Sequence, residues 1–152
     1  MRRTRSLAIL LASVSLAAAA CSGGATSSPT GAASTPDGSG GTRVEVKLTD
    51  ALRIEPATMT VPAGEPVTFV VTNTGAINHE FFVGDEDEQA EHGLHVVSSN
   101  DLPEDTPTGI GVAPGQTREL TMTFDAAGSL IGGCHLAGHY LAGMKADIEI
   151  TE

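Results

Sequence analysis

The sequence has 152 residues, 19 acidic and 8 basic side chains, 5 histidines, 2 cysteines and a formal net charge of −11. That length suits one domain. A surface so negative repels nucleic acid and anionic lipid headgroups, which excludes nucleic-acid binding and favours cationic partners.

The chain opens with "MRRTRS", basic, followed by "LAILLASVSLAAAA", fourteen apolar or small residues that end at Cys21. This is the layout of an export signal, and the run is too short to stay in a bilayer as a spanning helix. The residues before Cys21 resemble a bacterial lipoprotein signal, in which the cysteine becomes the lipid-bearing first residue, although Ala18 stands where that family usually has Leu. The alternative is an ordinary secretory cut near the alanines, and Arg2-Arg3 leaves general secretion and twin-arginine export both open. Loss of Arg2, Arg3 and Arg5 with the leader lowers the basic count from 8 to 5 against 19 acids, a net of −14. The expected product is anchored by lipid on Cys21 at the outer face of the cytoplasmic membrane. Cys134 then has no disulfide mate, and a free thiol in an oxidising compartment is either deeply buried or committed to a metal.

Residues 1–20 are thus the expected signal, and 21–42, "CSGGATSSPTGAASTPDGSGGT", the lipidated cysteine and a flexible tether too poor in bulky apolar residues to fold. The expected domain covers 43–152. There the pattern turns to short, β-branched segments of alternating polarity: "RVEVKLTD", "ATMTVPAG", "PVTFVVTN", "HEFFVG", "TRELTMTF" and "KADIEI". Turn residues such as Pro62-Ala63-Gly64 and Pro114-Gly115 separate them. This spacing predicts an all-β antiparallel sandwich or small barrel. One long connection, Asp85 to Thr108, carries "DEDEQAE", His92 and His95, with a short helix around Glu86 to His92. The run reads either as a solvated acidic docking loop or as an exposed site for a divalent ion.

Ligand-type side chains crowd into "GCHLAGHYLAGM", residues 133–144, where Cys134, His139 and Met144 are each separated by four residues. A tight loop between strands turns all three toward one point, whereas a straight strand scatters them over two faces. Thiolate, imidazole and thioether form a soft set that selects copper over magnesium, calcium or manganese. One more nitrogen completes a two-His, one-Cys trigonal site with an axial Met, and His79, at the head of "HEFFVG", is the candidate.

From Arg43 to Glu152 the chain resembles the cupredoxins, the small blue (type 1) copper proteins, most clearly in "TVPAGEPVTFVVTNTGAINHEFFVG" and "GCHLAGHYLAGMKADIEI". The Cys-x4-His-x4-Met loop is similar to the longer-loop branch of that family. The resemblance implies a Greek-key β-sandwich or barrel. It also implies one type 1 copper held by His79, His139 and Cys134, with Met144 axial. It departs at Glu80, where several relatives place Asn or Ser: a carboxylate there either lowers the reduction potential or turns outward. "CHLAGH" also has the look of a multicopper oxidase motif. Gly133 replaces the His that precedes the Cys there, and the chain has no His-x-His pair, so His135 is expected to point away from the metal.

With every coordination position filled by protein, no place is left for a substrate, so the expected protein is no enzyme. The expected function is one-electron transfer by a monomer to a cationic redox partner such as a c-type cytochrome or an oxidase subunit. The resemblance implies an apolar contact patch around the C-terminal His ligand, which Leu136, Ala137, Leu141 and Ala142 would form around His139. The alternative is a lipoprotein that stores or delivers copper, which the acidic, His-bearing loop favours.

Overall fold

The structure, a computed structural model, describes residues 32–33, 35–36, 41–95, 98 and 100–152. The expected signal and the expected lipidation site Cys21 lie outside the described residues. The described strands are β1 (Ala32–Ala33), β2 (Thr35–Pro36), β3 (Thr42–Thr49), β4 (Arg53–Glu55), β5 (Thr58–Pro62), β6 (Pro66–Asn73) and β7 (His79–Gly84). Helix α1 (Glu86–His92) and a single 3-10 turn (Gly93–His95) follow, then β8 (Gly109–Val112), β9 (Thr117–Thr123), β10 (Gly128–Gly133) and β11 (Lys145–Thr151). No helix among them is long and apolar enough to cross a membrane.

The strands form two sheets over one core, the two-sheet sandwich expected from the sequence. One runs β1-β5-β11-β10-β7-β8, the other β2-β3-β6-β9 with β4 paired to β3. The sheets are mixed rather than purely antiparallel as expected, because β3 pairs parallel to β6 and β5 parallel to β11. In each case the strand directions match because the intervening chain crosses between sheets instead of turning back as a hairpin. The last part of the expected tether is also paired: Ala32 sits opposite Met59 and Thr35 opposite Arg43, while Thr42 already belongs to β3.

Alternation explains the solvent-facing strands. In β3, Val44, Val46 and Leu48 are buried while Glu45 and Lys47 are exposed, and in β11 Ala146, Ile148 and Ile150 turn inward between exposed Lys145, Asp147 and Glu149. Burying each large apolar side chain contributes roughly 1.5–3 kcal/mol. Strand β7 breaks the pattern, with all six residues buried. It lies between β8 and β10, and α1 packs on the face that would otherwise meet water.

Helix α1 starts with a capping box: Asp85 accepts from the Glu88 amide, and Glu88 reaches back to the Asp85 amide, both at 2.9 Å. Glu86, Asp87 and Glu88 in its first turn suit the positive end of the helix dipole. Its one buried residue, Gln89, donates to the carbonyl of Ile131 at 2.7 Å, welding the helix to β10. At the core, Phe69 packs against Phe81 and Phe124 with centroids 5.3 and 6.5 Å apart. The same cluster takes in Cys134, Leu136 and Met144, so the ligand loop closes one end of the core.

Candidate metal centre

Cys134 follows the last residue of β10, and Met144 precedes β11. Between them Gly138 and Gly143 have φ of +84° and +90°, the left-handed region in which a side chain is strained. These glycines let the loop reverse twice in eleven residues. Its ends are stitched together: the Cys134 amide donates to the Met144 carbonyl at 3.2 Å and the Met144 amide to the His139 carbonyl at 3.1 Å. The backbone thereby holds the three expected loop ligands before any ion binds.

His79 is placed by a different element, opposite Val112 in the β7–β8 ladder. One donor atom each from His79, Cys134 and His139 lies within 4.8 Å of the others. His79 and Cys134 are fully buried and His139 is 6% exposed. Cys134 Sγ is 3.4 Å from His139 Nδ1, and the two imidazole centroids are 5.2 Å apart. Met144 is fully buried beside them in the core cluster. Three of the four expected ligands therefore converge by donor position, and Met144 joins them by its place in the loop.

Both ring nitrogens of His79 are buried without a hydrogen-bond partner; the Asp50 carboxylate stands 3.5 Å from Nε2, in reach only of an electrostatic contact. Unsatisfied buried polar atoms cost about 1–3 kcal/mol each, so an imidazole kept this way is poised to bind something. Burial, then the neighbouring His139, pushes the His79 pKa down, partly opposed by Asp50, and burial lowers His139 as well. Both rings are thus neutral donors. Burial pushes the Cys134 thiol up to about 11, against the Glu80 amide that donates to Sγ at 3.3 Å. Two neutral imidazoles and a thiol that ionises on metal capture fit copper, the cofactor of this site.

Glu80 is not turned outward. It is 4% exposed; Oε2 accepts from the His135 amide at 3.0 Å and Oε1 meets His92 Nε2 at 2.9 Å. His135 faces the helix and Tyr140: its Nε2 is 2.7 Å from Gln89 Oε1 and its ring stacks on Tyr140 at 4.3 Å, and it is not one of the three grouped donors. Burial, with His92 nearby, lowers its pKa to about 4. His92 and His95 join no group of three such donors; among the described residues His79, Cys134 and His139 form the one such cluster.

The expected contact patch needs one correction. Leu136 is 1% exposed and belongs to the core, because the loop turns it inward behind Cys134, whereas Leu141 is 93% exposed. Leu94, 82% exposed, takes its place on the surface, and a cavity of about 270 Å³ opens there, lined in part by Gly93, Leu94, His135, Tyr140 and Leu141. Asp50 and Gln89 were not legible in the sequence. Asp50 lies in a turn 29 residues before His79, and the sole hint for Gln89 is an uncharged residue in an acidic run.

No protein-family model matches the chain. It is 36% identical to the "Copper-resistant cuproprotein CopI" of Rubrivivax gelatinosus over 107 residues, 70% of this chain and 65% of that relative's length. The protein of the same name from Pseudomonas aeruginosa is 32% identical over 136 residues, covering 70% of this chain and 75% of the relative. Among solved structures, auracyanin A, a "blue" copper protein from Chloroflexus aurantiacus, superposes with a TM-score of 0.60 at 27% identity, covering 74% of this chain and all of that one.

Proposed function

The chain belongs to the CopI cuproproteins, cupredoxins by fold, and from that premise we propose that it carries single electrons between redox partners as a monomer outside the cytoplasmic membrane, tethered by lipid on Cys21. The observation that carries this reading is the closure of the site: His79 and Cys134 are fully buried, and His139 alone, 6% exposed, comes near the surface. Copper bound there supplies a one-electron couple between its +1 and +2 states. The protein's part is to hold the donors still and exclude water. The backbone bonds joining Cys134, His139 and Met144 resist rearrangement, and the Glu80 amide offers a hydrogen bond to the sulfur. Met144 is the fourth residue that would hold the ion. A site with no open position for substrate is a carrier's site rather than an enzyme's.

The exposed Leu141, Ala137, Ala142 and Leu94 give a small apolar contact suited to brief encounters, and the surrounding acids steer a cationic partner such as a c-type cytochrome at a salt-sensitive rate. The test is spectroscopic and kinetic. The copper-loaded protein should show an intense thiolate-to-copper(II) absorption, lost in Cys134→Ala, that bleaches and recovers with one electron and reduces a basic cytochrome c rapidly. Absence of reversible one-electron bleaching rejects the carrier reading.

A second reading, copper storage or delivery, is favoured by the name that the relatives bear. It predicts that copper(I) leaves for a competing chelator within seconds. A carrier retains it for hours.

A further inference from the structure

Glu80 is a buried carboxylate that ligation does not use, and its contacts reach in three directions. Its own amide donates to Cys134 Sγ at 3.3 Å. Its Oε2 accepts from the His135 amide at 3.0 Å, the first peptide beyond the thiolate. Its Oε1 meets Nε2 of His92, the last residue of α1, at 2.9 Å. The His92 ring lies flat on Phe82 of β7, 3.9 Å away and tilted by 1°, with its edge toward His135 at 5.2 Å. The other end of the helix is locked by its capping box and its middle by Gln89. His92 is therefore held in place and is not a loose surface ring.

A carboxylate is buried at acceptable cost only when its oxygens are satisfied, and here each has one partner. Removing either partner leaves an uncompensated group next to the ligand loop. We propose that Glu80 and His92 form a positioning pair that latches helix α1 to the thiolate end of the loop and, through the Glu80 carboxylate, biases the bound copper toward its oxidised state. The inference rests on copper occupancy of the site but not on electron transfer to any partner. Orientation and charge are separable. The hydrogen bond to the His135 amide fixes the peptide that carries Cys134, so it orients the sulfur. The negative charge favours copper(II) over copper(I) whatever the loop does.

Two substitutions and two readouts separate these roles. Glu80→Gln keeps an oxygen for the His135 amide and removes the charge. His92→Phe keeps the stacking on Phe82 and removes the nitrogen. In the metal-free protein, hydrogen exchange of the His135 amide should quicken about tenfold in Glu80→Ala and about threefold in His92→Phe, and stay near wild type in Glu80→Gln. Amides of β6, such as Phe69, serve as the control for global opening. In the copper-loaded protein, Glu80→Gln should raise the reduction equilibrium about tenfold, equal to 59 mV for one electron. Unchanged His135 exchange in His92→Phe overturns the latch, and a potential in Glu80→Gln equal to wild type overturns the bias. Should Glu80→Ala fail to fold, the other two variants decide the matter. A protein that passes both tests yet reduces no cytochrome leaves this inference intact and removes only the carrier reading.

Discussion

Gln89 is the side chain whose removal most directly tests how the helix is joined to the site. It is 1% exposed, donates to the Ile131 carbonyl at 2.7 Å and meets His135 Nε2 at 2.7 Å through its Oε1. Gln89→Leu keeps most of the volume and deletes both bonds, together with the longer contacts from Nε2 to the Phe82 and Gly84 carbonyls at 3.3 and 3.5 Å. Each partner left buried without a mate costs about 1–3 kcal/mol; the Ile131 carbonyl, part-buried, takes the low end and His135 the middle, for about 2–4 kcal/mol in total. Gln89→Ala adds a cavity on top, so it should be worse by about another 1 kcal/mol or more. Against a typical stability of about 5–15 kcal/mol these are large losses. With a urea slope of about 2 kcal/mol per molar, the middle of the usual range, the Leu variant should unfold about 1–2 M earlier than wild type. The assay is equilibrium urea unfolding of the metal-free domain, followed by far-ultraviolet circular dichroism. A Leu variant within about 0.5 kcal/mol of wild type would refute the claim that these bonds hold the helix.

Copper uptake should release about one proton per ion between pH 7 and 9, because the Cys134 thiol, raised to about 11, is protonated there while His79 and His139, held below the ordinary imidazole value, are not. Affinity then rises with pH across that window, and calorimetry in two buffers of different ionisation enthalpy counts the proton; a count near zero or near three contradicts the assignment. Met144→Gln should retain copper with a lower reduction potential by cyclic voltammetry, and an unchanged potential means that Met144 is not axial. Asp105→Asn breaks a two-pronged pair with Arg118, whose Nη1 donates to Oδ1 at 2.7 Å, but both side chains are substantially exposed, so the loss should stay below about 1 kcal/mol. The Arg118 hydrogen bond holds the Asp105 carboxyl below its usual value, so the pair's contribution is present above pH 3.8 and fades as pH falls below it. Thermal melts of both proteins at pH 7 and pH 3 should therefore differ more at pH 7.

Six of the described strands were legible as short strand-like segments, five of them with one-sided burial or close to it and β7 buried throughout, and α1 occupies the residues expected of it. Strands β4, β8 and β10 were not, nor were β1 and β2, which lie in the stretch expected to be an unfolded tether. Strand β4 has three residues, too few for a period, and β8, "GIGV", is buried on both faces and so shows no alternation. Strand β10, "GSLIGG", reads as a turn, yet its glycines answer to crowding: a Cβ on Gly132 would lie 2.7 Å from the Phe81 ring and one on Gly133 2.5 Å from Gln89 Oε1. Such neighbours come from distant parts of the chain and leave no trace in local composition.

The ligand set divides in the same way. Spacing alone brings Cys134, His139 and Met144 into one loop, because four-residue intervals between strand ends and two glycines in left-handed conformations leave the chain little other course. The chemistry of those side chains selects the metal. Only the folded sandwich decides that Glu80 faces inward to His92 and the His135 amide, that Asp50 stands over His79, and that Leu136 sinks into the core while Leu94 and Leu141 face water. Local sequence encodes the period of one-sided burial and the identity of donors. Which way a polar side chain turns depends on what two sheets and a helix place beside it, over separations of up to 55 residues between Glu80 and the loop it holds.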